Sequence, residues 1–428
     1  MKKLIVLIWI LFGIGILHAD THISAGNVSG IWTYANSPYI IDGEISIQIG
    51  DELVIEPGVQ VTFSGHYKFI VYGRLIAEGT SSEIILFTAL DHVTGWYGLR
   101  FVDSNTNGQD GSSMIYCTFE YGNATGSFPE GAGGAIRCNN SSDVLIKNSV
   151  ITNNTAALDG GGVWCGNYSS PTLINVIISN NVATGLDGGG MFCWNYCNPS
   201  LTDVLICGNF AGSTGGGICC WDWSSLVLTN VTITGNTATS SGGGIYNGYS
   251  DYNLVNCILW DNTPDEINYW NIDRSITVTY SDVKNGTGQS WLGTGCIDAD
   301  PLFVNPANED YHLSWTNFPV ADSTKSPCID SGDPSSPLDP DSTRADMGAY
   351  YFDQTSTLTP PQNVTINIIS TDVQLTWDAV AGATSYKVYS SDNPYSDFTE
   401  DISGTFDDVS WMTAISESKK FYYVTAIQ

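Results

Sequence analysis

The chain has 428 residues and a formal net charge of −30, from 14 basic and 44 acidic side chains. So acidic a surface repels nucleic acid, anionic lipid and polyuronates unless cations mediate the contact; neutral glycans and divalent cations remain compatible ligands. Eleven cysteines is an odd number, so at least one is unpaired within the chain.

Residues 1–19 carry Lys2 and Lys3, then an apolar run from Leu4 to Leu17 that ends at Ala19. This is the pattern of a secretory signal cleaved after Ala19. The run is short for a membrane span, and no second one follows. The expectation is an exported monomer, extracellular or on a bacterial cell surface, with no transmembrane segment after signal cleavage.

From residue 133 a short motif returns five times. Gly-Gly-Ala-Ile-Arg-Cys (133–138) is followed by Gly-Gly-Gly-Val-Trp-Cys (160–165), Gly-Gly-Gly-Met-Phe-Cys (188–193), Gly-Gly-Gly-Ile-Cys-Cys (215–220) and Gly-Gly-Gly-Ile-Tyr-Asn (242–247). The steps are 27, 28, 27 and 27 residues. An Ile/Leu-x-x-Asn marker runs in phase with it and ends at Asn154, Asn181, Asn209, Asn236 and Asn262. Two motifs with one period mean one structural unit stacked on itself. Each unit reads as short β-prone runs between Gly, Asn, Ser and Asp, with no long 3.6-residue apolar period. Such a unit closes no core alone, but wound into coils about 4.8 Å apart it pairs every strand above and below. The predicted fold is all-β: a single-stranded parallel β-helix solenoid, of the right hand common for coils of this length.

The glycine triplets allow positive φ and close backbone approach at one corner of each coil. The five asparagines are predicted to stack as a ladder whose amides bond one another and the buried turn backbone. The sequons at Asn153 and Asn230 then follow from the ladder rather than from glycosylation. Alternation from Ile136, Val163, Met191 and Ile218 turns Cys138, Cys165, Cys193 and Cys220 into the coil, as a stack of buried thiols rather than a zinc site or disulfides.

Gly-Gly-[Ala/Gly]-Ile with Ile-x-x-Asn resembles the repeats of polymorphic outer-membrane proteins and of bacterial right-handed parallel β-helix proteins of the pectate-lyase-like group. Ile55-Glu-Pro-Gly-Val59 and Gly73-Arg-Leu-Ile-Ala77 resemble that group's opening coils. Asn256-Cys-Ile-Leu-Trp260, Asp300-Pro-Leu-Phe303, Ser326-Pro-Cys-Ile-Asp330 and Asp346-Met-Gly-Ala349 resemble its closing coils and C-terminal cap. The resemblance implies a β-helix over 20–354 and a surface-protein type. It also makes Cys296 and Cys328 the candidates for a disulfide, since both fall in the irregular cap of an exported protein.

A Thr/Pro linker at 355–361 precedes alternating runs at Val373–Trp377, Ser385–Ser390 and Phe421–Ala426. Trp377-Asp-x-x-x-Gly-Ala-x-x-Tyr-x-Val-Tyr389 resembles a fibronectin type III domain, which implies a small β-sandwich over 362–428 with Trp377 in its core. It departs from that family by stopping after the sixth strand, as a domain completed otherwise or a truncated product would.

The pectate-lyase-like resemblance also implies where catalysis would sit, and the residues are missing. A lyase would need a basic residue beside Ca²⁺-binding aspartates, yet Arg137 and Lys147 are the only basic residues between 101 and 273. The inverting hydrolases would need a tandem aspartate pair, a histidine and Arg-x-Lys. The chain has no Asp-Asp before 407, no histidine between 93 and 311, and no Arg-x-Lys. No catalytic residue is assigned.

The remaining constellation is aromatic. Outward positions form three columns: Trp164, Phe192 and Tyr246; Trp194 and Trp221; Tyr168, Tyr196 and Trp223. Sugars stack on such rings, and Asp159, Asp187, Asp222 and Asp251 beside them could accept hydroxyl protons. Alternatively the rings only cover the sheet or pack under a loop. Asp339, Asp341 and Asp346 have the spacing of oxygen ligands for Ca²⁺, the one cofactor considered, although a turn with Asx caps is the preferred reading. Two functions follow: a non-catalytic surface protein whose solenoid face binds a polysaccharide or another surface protein, or, on fold resemblance alone, a polysaccharide lyase or glycoside hydrolase.

Overall fold

The computed structural model describes residues 20–103, 111–140, 144–270, 275–316, 318–319, 321–355, 361–380, 383, 385–392, 398–415 and 420–427. The predicted secretory signal and most of the predicted Thr/Pro linker lie outside them.

The chain winds into a parallel β-helix solenoid followed by a small antiparallel unit. Three parallel sheets of 17, 10 and 5 strands run along the solenoid. A typical coil contributes Val163–Gly166 to the ten-stranded sheet, Thr172–Ser179 to the longest, and Val182–Ala183 to the shortest. Register is kept from coil to coil, so Ile136, Val163, Met191, Ile218 and Ile245 stand in one inward column. Cys138, Cys165, Cys193 and Cys220 form the next inward column as buried free thiols. Each fully buried Ile or Leu contributes about 1.5–3 kcal/mol of transfer free energy, which makes this continuous interior the main source of stability.

Corners explain the abundance of Asn, Asp and Gly. Asn148, Asn175, Asp203, Asn230 and Asn256 all adopt positive φ at one bend. Asn153, Asn180, Gly208, Gly235 and Asp261 do so at a second, and Gly133, Gly160, Gly188, Gly215 and Gly242 at a third. Only Gly, and then Asn or Asp, enters that region cheaply. The later glycines of each triplet serve packing instead: a Cβ at Gly161 would meet the carbonyl oxygen of Gly189 and the backbone of Val182.

Inside the second bend the asparagine ladder is continuous. Asn154 Nδ2 donates to Asn181 Oδ1 at 2.9 Å, Asn181 to Asn209 at 3.0 Å, Asn209 to Asn236 at 2.9 Å and Asn236 to Asn262 at 2.9 Å. From Asn181 onward each side-chain oxygen also accepts the backbone N–H of the preceding ladder residue, as Asn209 Oδ1 does from Asn181, while Asn154 Oδ1 accepts from Gly122 N. The column ends on Glu266, whose carboxylate takes both the Asn262 amide and its backbone N–H.

Paired bridges at Val278–Leu292 and Asp282–Ile297 form the last coil contacts. Residues 302–352 then lie along the outside of earlier coils rather than only closing the end. Tyr311 is buried against Leu205 and Cys207, Gly348 N donates to Asn256 O, and Ala349 N donates to Thr232 Oγ1.

The C-terminal unit has a four-stranded and a three-stranded antiparallel sheet around Leu375, Trp377, Val388, Trp411 and Val424. The described residues hold seven strands where the sequence predicts six. Thr399–Glu400 and Thr405–Asp407 are too short for alternation to reveal.

Candidate binding face on the solenoid

Strand register sets the aromatic columns. Trp164, Phe192, Cys219 and Tyr246 are neighbours on successive coils, and Trp194 pairs with Trp221 between Gly166 and Gly248. The Tyr168, Tyr196 and Trp223 column sits one corner further on, each residue at positive φ.

The first column points outward but is not open. Trp164 is fully buried, and Phe192 and Tyr246 are 6% and 5% exposed, in a cluster outside the coil interior. The Trp164 indole occupies the place of a Gly166 side chain in the neighbouring column, and Trp221 that of Gly248, the next residue of its own column. Phe128, from a loop outside the repeat, covers the result, 6.0 Å from Trp164 and edge-on to Trp194 at 5.9 Å. In this column the rings cover the sheet and pack under a loop, because alternation gives direction and not exposure.

The open rings are Tyr168, Tyr196 and Trp223, at 61%, 43% and 55% exposure. Tyr168 stacks on Tyr196 at 5.4 Å and Tyr196 on Trp223 at 6.3 Å, with planes within 9° and 13° of parallel. Tyr196 is therefore sandwiched and offers its edge and hydroxyl. Trp270, exposed and 6.5 Å from Trp221, extends the aromatic surface. The sequence reading missed it because it lies outside the repeat phase.

The flanking aspartates are held by the protein's own donors. Asp222 accepts from Trp194 Nε1 at 2.7 Å, and Asp187 accepts from Trp221 Nε1 at 3.3 Å and from Thr214 N and Oγ1. Asp251 accepts the Ser275 amide. Asp159 accepts the Asp187 amide at 3.1 Å and is 8% exposed. Burial, with the Asp187 charge beside it, pushes its carboxyl up to about 6. Asp159 lines a cavity of about 340 Å³ with Phe128, Leu158, Trp164, Leu186, Phe192 and Trp194.

One further expectation, the disulfide, is corrected. Cys296 and Cys328 are both free. Cys328 lies in a cluster with Leu313 and Trp315 and donates to Asp282, whereas Cys296 packs against the coil interior and donates to Val278 O. Asp339, Asp341 and Asp346 are engaged by backbone amides, with Asp346 accepting from Asp330 and Phe352, Asp339 from Asp346, and Asp341 from Thr343 and Gln354. Among the described residues no group of three or more His, Cys, Asp or Glu could hold a metal ion.

A model of the Chlamydia polymorphic membrane protein repeat matches residues 230–248. The matched span lies within a single coil and holds both Asn236 and the Gly242–Gly244 triplet. No curated protein and no solved structure matches the chain.

A second, more polar cavity of about 530 Å³ lies at the C-terminal end of the solenoid, between Asp261, Glu266, Lys284, Gln289 and Trp291. Burial pushes the Glu266 carboxyl from its ordinary 4.5 up to about 7. The folded state then holds this proton to higher pH than the unfolded chain does. The stabilisation is complete below pH 4.5 and is lost as pH rises through 7. Glu266→Gln is expected to flatten the decline of the urea midpoint between pH 4.5 and 7, by up to about 3 kcal/mol across the window. An unchanged pH profile would refute the assignment.

Proposed function

We propose that the chain is a non-catalytic protein of the outer membrane or cell surface whose solenoid presents an aromatic face for glycan or partner contact. The observation that carries this reading is the exposed stack of Tyr168, Tyr196 and Trp223 on three successive coils. The likeness of one coil to a polymorphic membrane protein repeat supports the location. The acidic surface favours neutral polymers over uronates. The C-terminal unit, taken as fibronectin type III-like, serves to space or dock the solenoid.

Trp223→Ala and Tyr196→Ala are expected to weaken binding to a retained neutral polysaccharide about three- to tenfold each, the worth of one ring contact. Affinity electrophoresis against a polysaccharide panel measures this. Unchanged mobility of both variants, with the wild type retarded, would overturn the assignment of the face.

One observation favours the enzyme reading: Glu266, protonated near neutrality, beside Asp261 and Trp291 in an open cavity. A carboxylic acid with a raised pKa and a nearby carboxylate are the parts of a glycosidase. Against it, both Glu266 oxygens are used to end the asparagine ladder. Reducing ends released by the full chain, and lost in Glu266→Gln, would establish the hydrolase and displace the binding reading.

A further inference from the structure

We propose that the cavity beneath Phe128 is an aromatic cage for an alkylated ammonium group of the trimethylammonium type. Phe128 and Trp194 are its accessible aromatic walls, over a floor of Trp164 and Phe192, and its charged residue is Asp159. The cavity of about 340 Å³ has room for a trimethylammonium head and its first methylenes.

The lining discriminates between ligand classes. A sugar carries several hydroxyls that must all find partners, and the cavity supplies one carboxylate whose Oδ1 already accepts the Asp187 amide. A primary ammonium ion would leave its N–H donors equally short of acceptors. An alkylated ammonium has no such donors to lose, and its diffuse charge is drawn to ring faces by their quadrupoles. Charge complementarity points the same way. Asp159 is buried, its charged neighbour is another carboxylate, Asp187, and the chain as a whole is at −30. A bound cation would compensate this carboxylate, whose proton is otherwise held to higher pH by burial.

The same ring system already holds a cation. Arg137, on the coil before Trp164, places its guanidinium 4.7 Å from the Trp164 ring centre. Phe192 and Trp194, which also line the cavity, stand on the coil after. Entry is past Phe128, whose ring is 51% exposed. The Trp164 Nε1 is buried and makes no hydrogen bond, so the indole acts here as an aromatic surface alone.

The inference rests on the surface-binding reading only for the source of the ligand, and small ions test it without any glycan. The full chain is titrated calorimetrically with choline and with 3,3-dimethyl-1-butanol, its uncharged isostere. Choline is expected to bind saturably and about tenfold or more tightly than the alcohol. Asp159→Asn keeps an oxygen for the Asp187 amide and is expected to lose that discrimination, and Trp194→Ala is expected to weaken choline about tenfold. Circular dichroism melts of both variants verify the fold. No choline binding, equal binding of the two probes, or an Asp159→Asn variant equal to wild type would each overturn the proposal. With choline binding established, phosphatidylcholine vesicles and a soluble phosphocholine-bearing carrier distinguish a lipid from a polymer source. Failure of polysaccharide binding with choline binding intact would remove the glycan reading and leave the cage.

Discussion

Asn209→Ala is expected to cost the solenoid about 2–6 kcal/mol, from two buried backbone groups left without partners at about 1–3 kcal/mol each. The groups are Asn181 N, which Asn209 Oδ1 accepts at 2.9 Å, and Ile178 O, to which Asn209 Nδ2 donates at 2.9 Å. No water reaches them, since Asn181 and Ile178 are fully buried. The loss should be local first, because a solenoid coil touches mainly its neighbours. Hydrogen exchange at the Asn181 amide should accelerate before the global urea transition moves. The control is Asn175→Gly on the outer bend, where the amide bonds Asn148 in solvent and the positive φ suits glycine. That change is expected to stay within about 0.5 kcal/mol. Equal effects at the two sites would show that burial of the ladder is not what matters.

Gly189→Ala should be worse, at about 4–5 kcal/mol or more, which places it among the rare severe substitutions. Its φ is ordinary, so the damage is steric. The new Cβ would meet Gly216 O and lie 2.6 Å from the carbonyl carbon of Phe210, both backbone atoms of the next coil. No side chain can turn aside, and the coils must part. Limited proteolysis should cut the variant within the central coils, where the wild type resists. At Gly50 nothing lies within 4 Å of an added Cβ and only the positive φ is costly, so Gly50→Ala is expected to lose only about 1–2 kcal/mol. A Gly189→Ala urea midpoint close to that of Gly50→Ala would refute the close-approach argument.

The solenoid is legible in the sequence because each feature that builds it repeats. The inward columns, the thiol stack and the asparagine ladder each need the same residue type every 27 or so positions, and the period exposes them. The site is less legible because its deciding residues do not repeat. Phe128 covers Trp164 from outside the repeat, and residues 302–352 settle on coils far away in sequence. Gly166 is the clue that was available: a glycine in a column of Trp194 and Trp221 marks a place where a neighbouring ring lies down. The bonds from Trp194 to Asp222 and from Trp221 to Asp187 each cross between coils. Those aspartates looked free for a ligand only while coil contacts were unknown.

The ladder has a direction. Every side-chain amide from Asn154 to Asn236 donates to the coil that follows it, so the amide dipoles add head to tail, and Glu266 receives the electropositive end. A duplicated coil placed anywhere inside the column joins without reversing a single bond. It lengthens the molecule by about 4.8 Å, one strand spacing. Growth of this kind is closed at Glu266, which accepts from the last amide and carries no amide of its own to pass the pattern onward. The ladder is thus a ruler that coils inserted between Asn154 and Asn262 would lengthen, with Glu266 as its end mark.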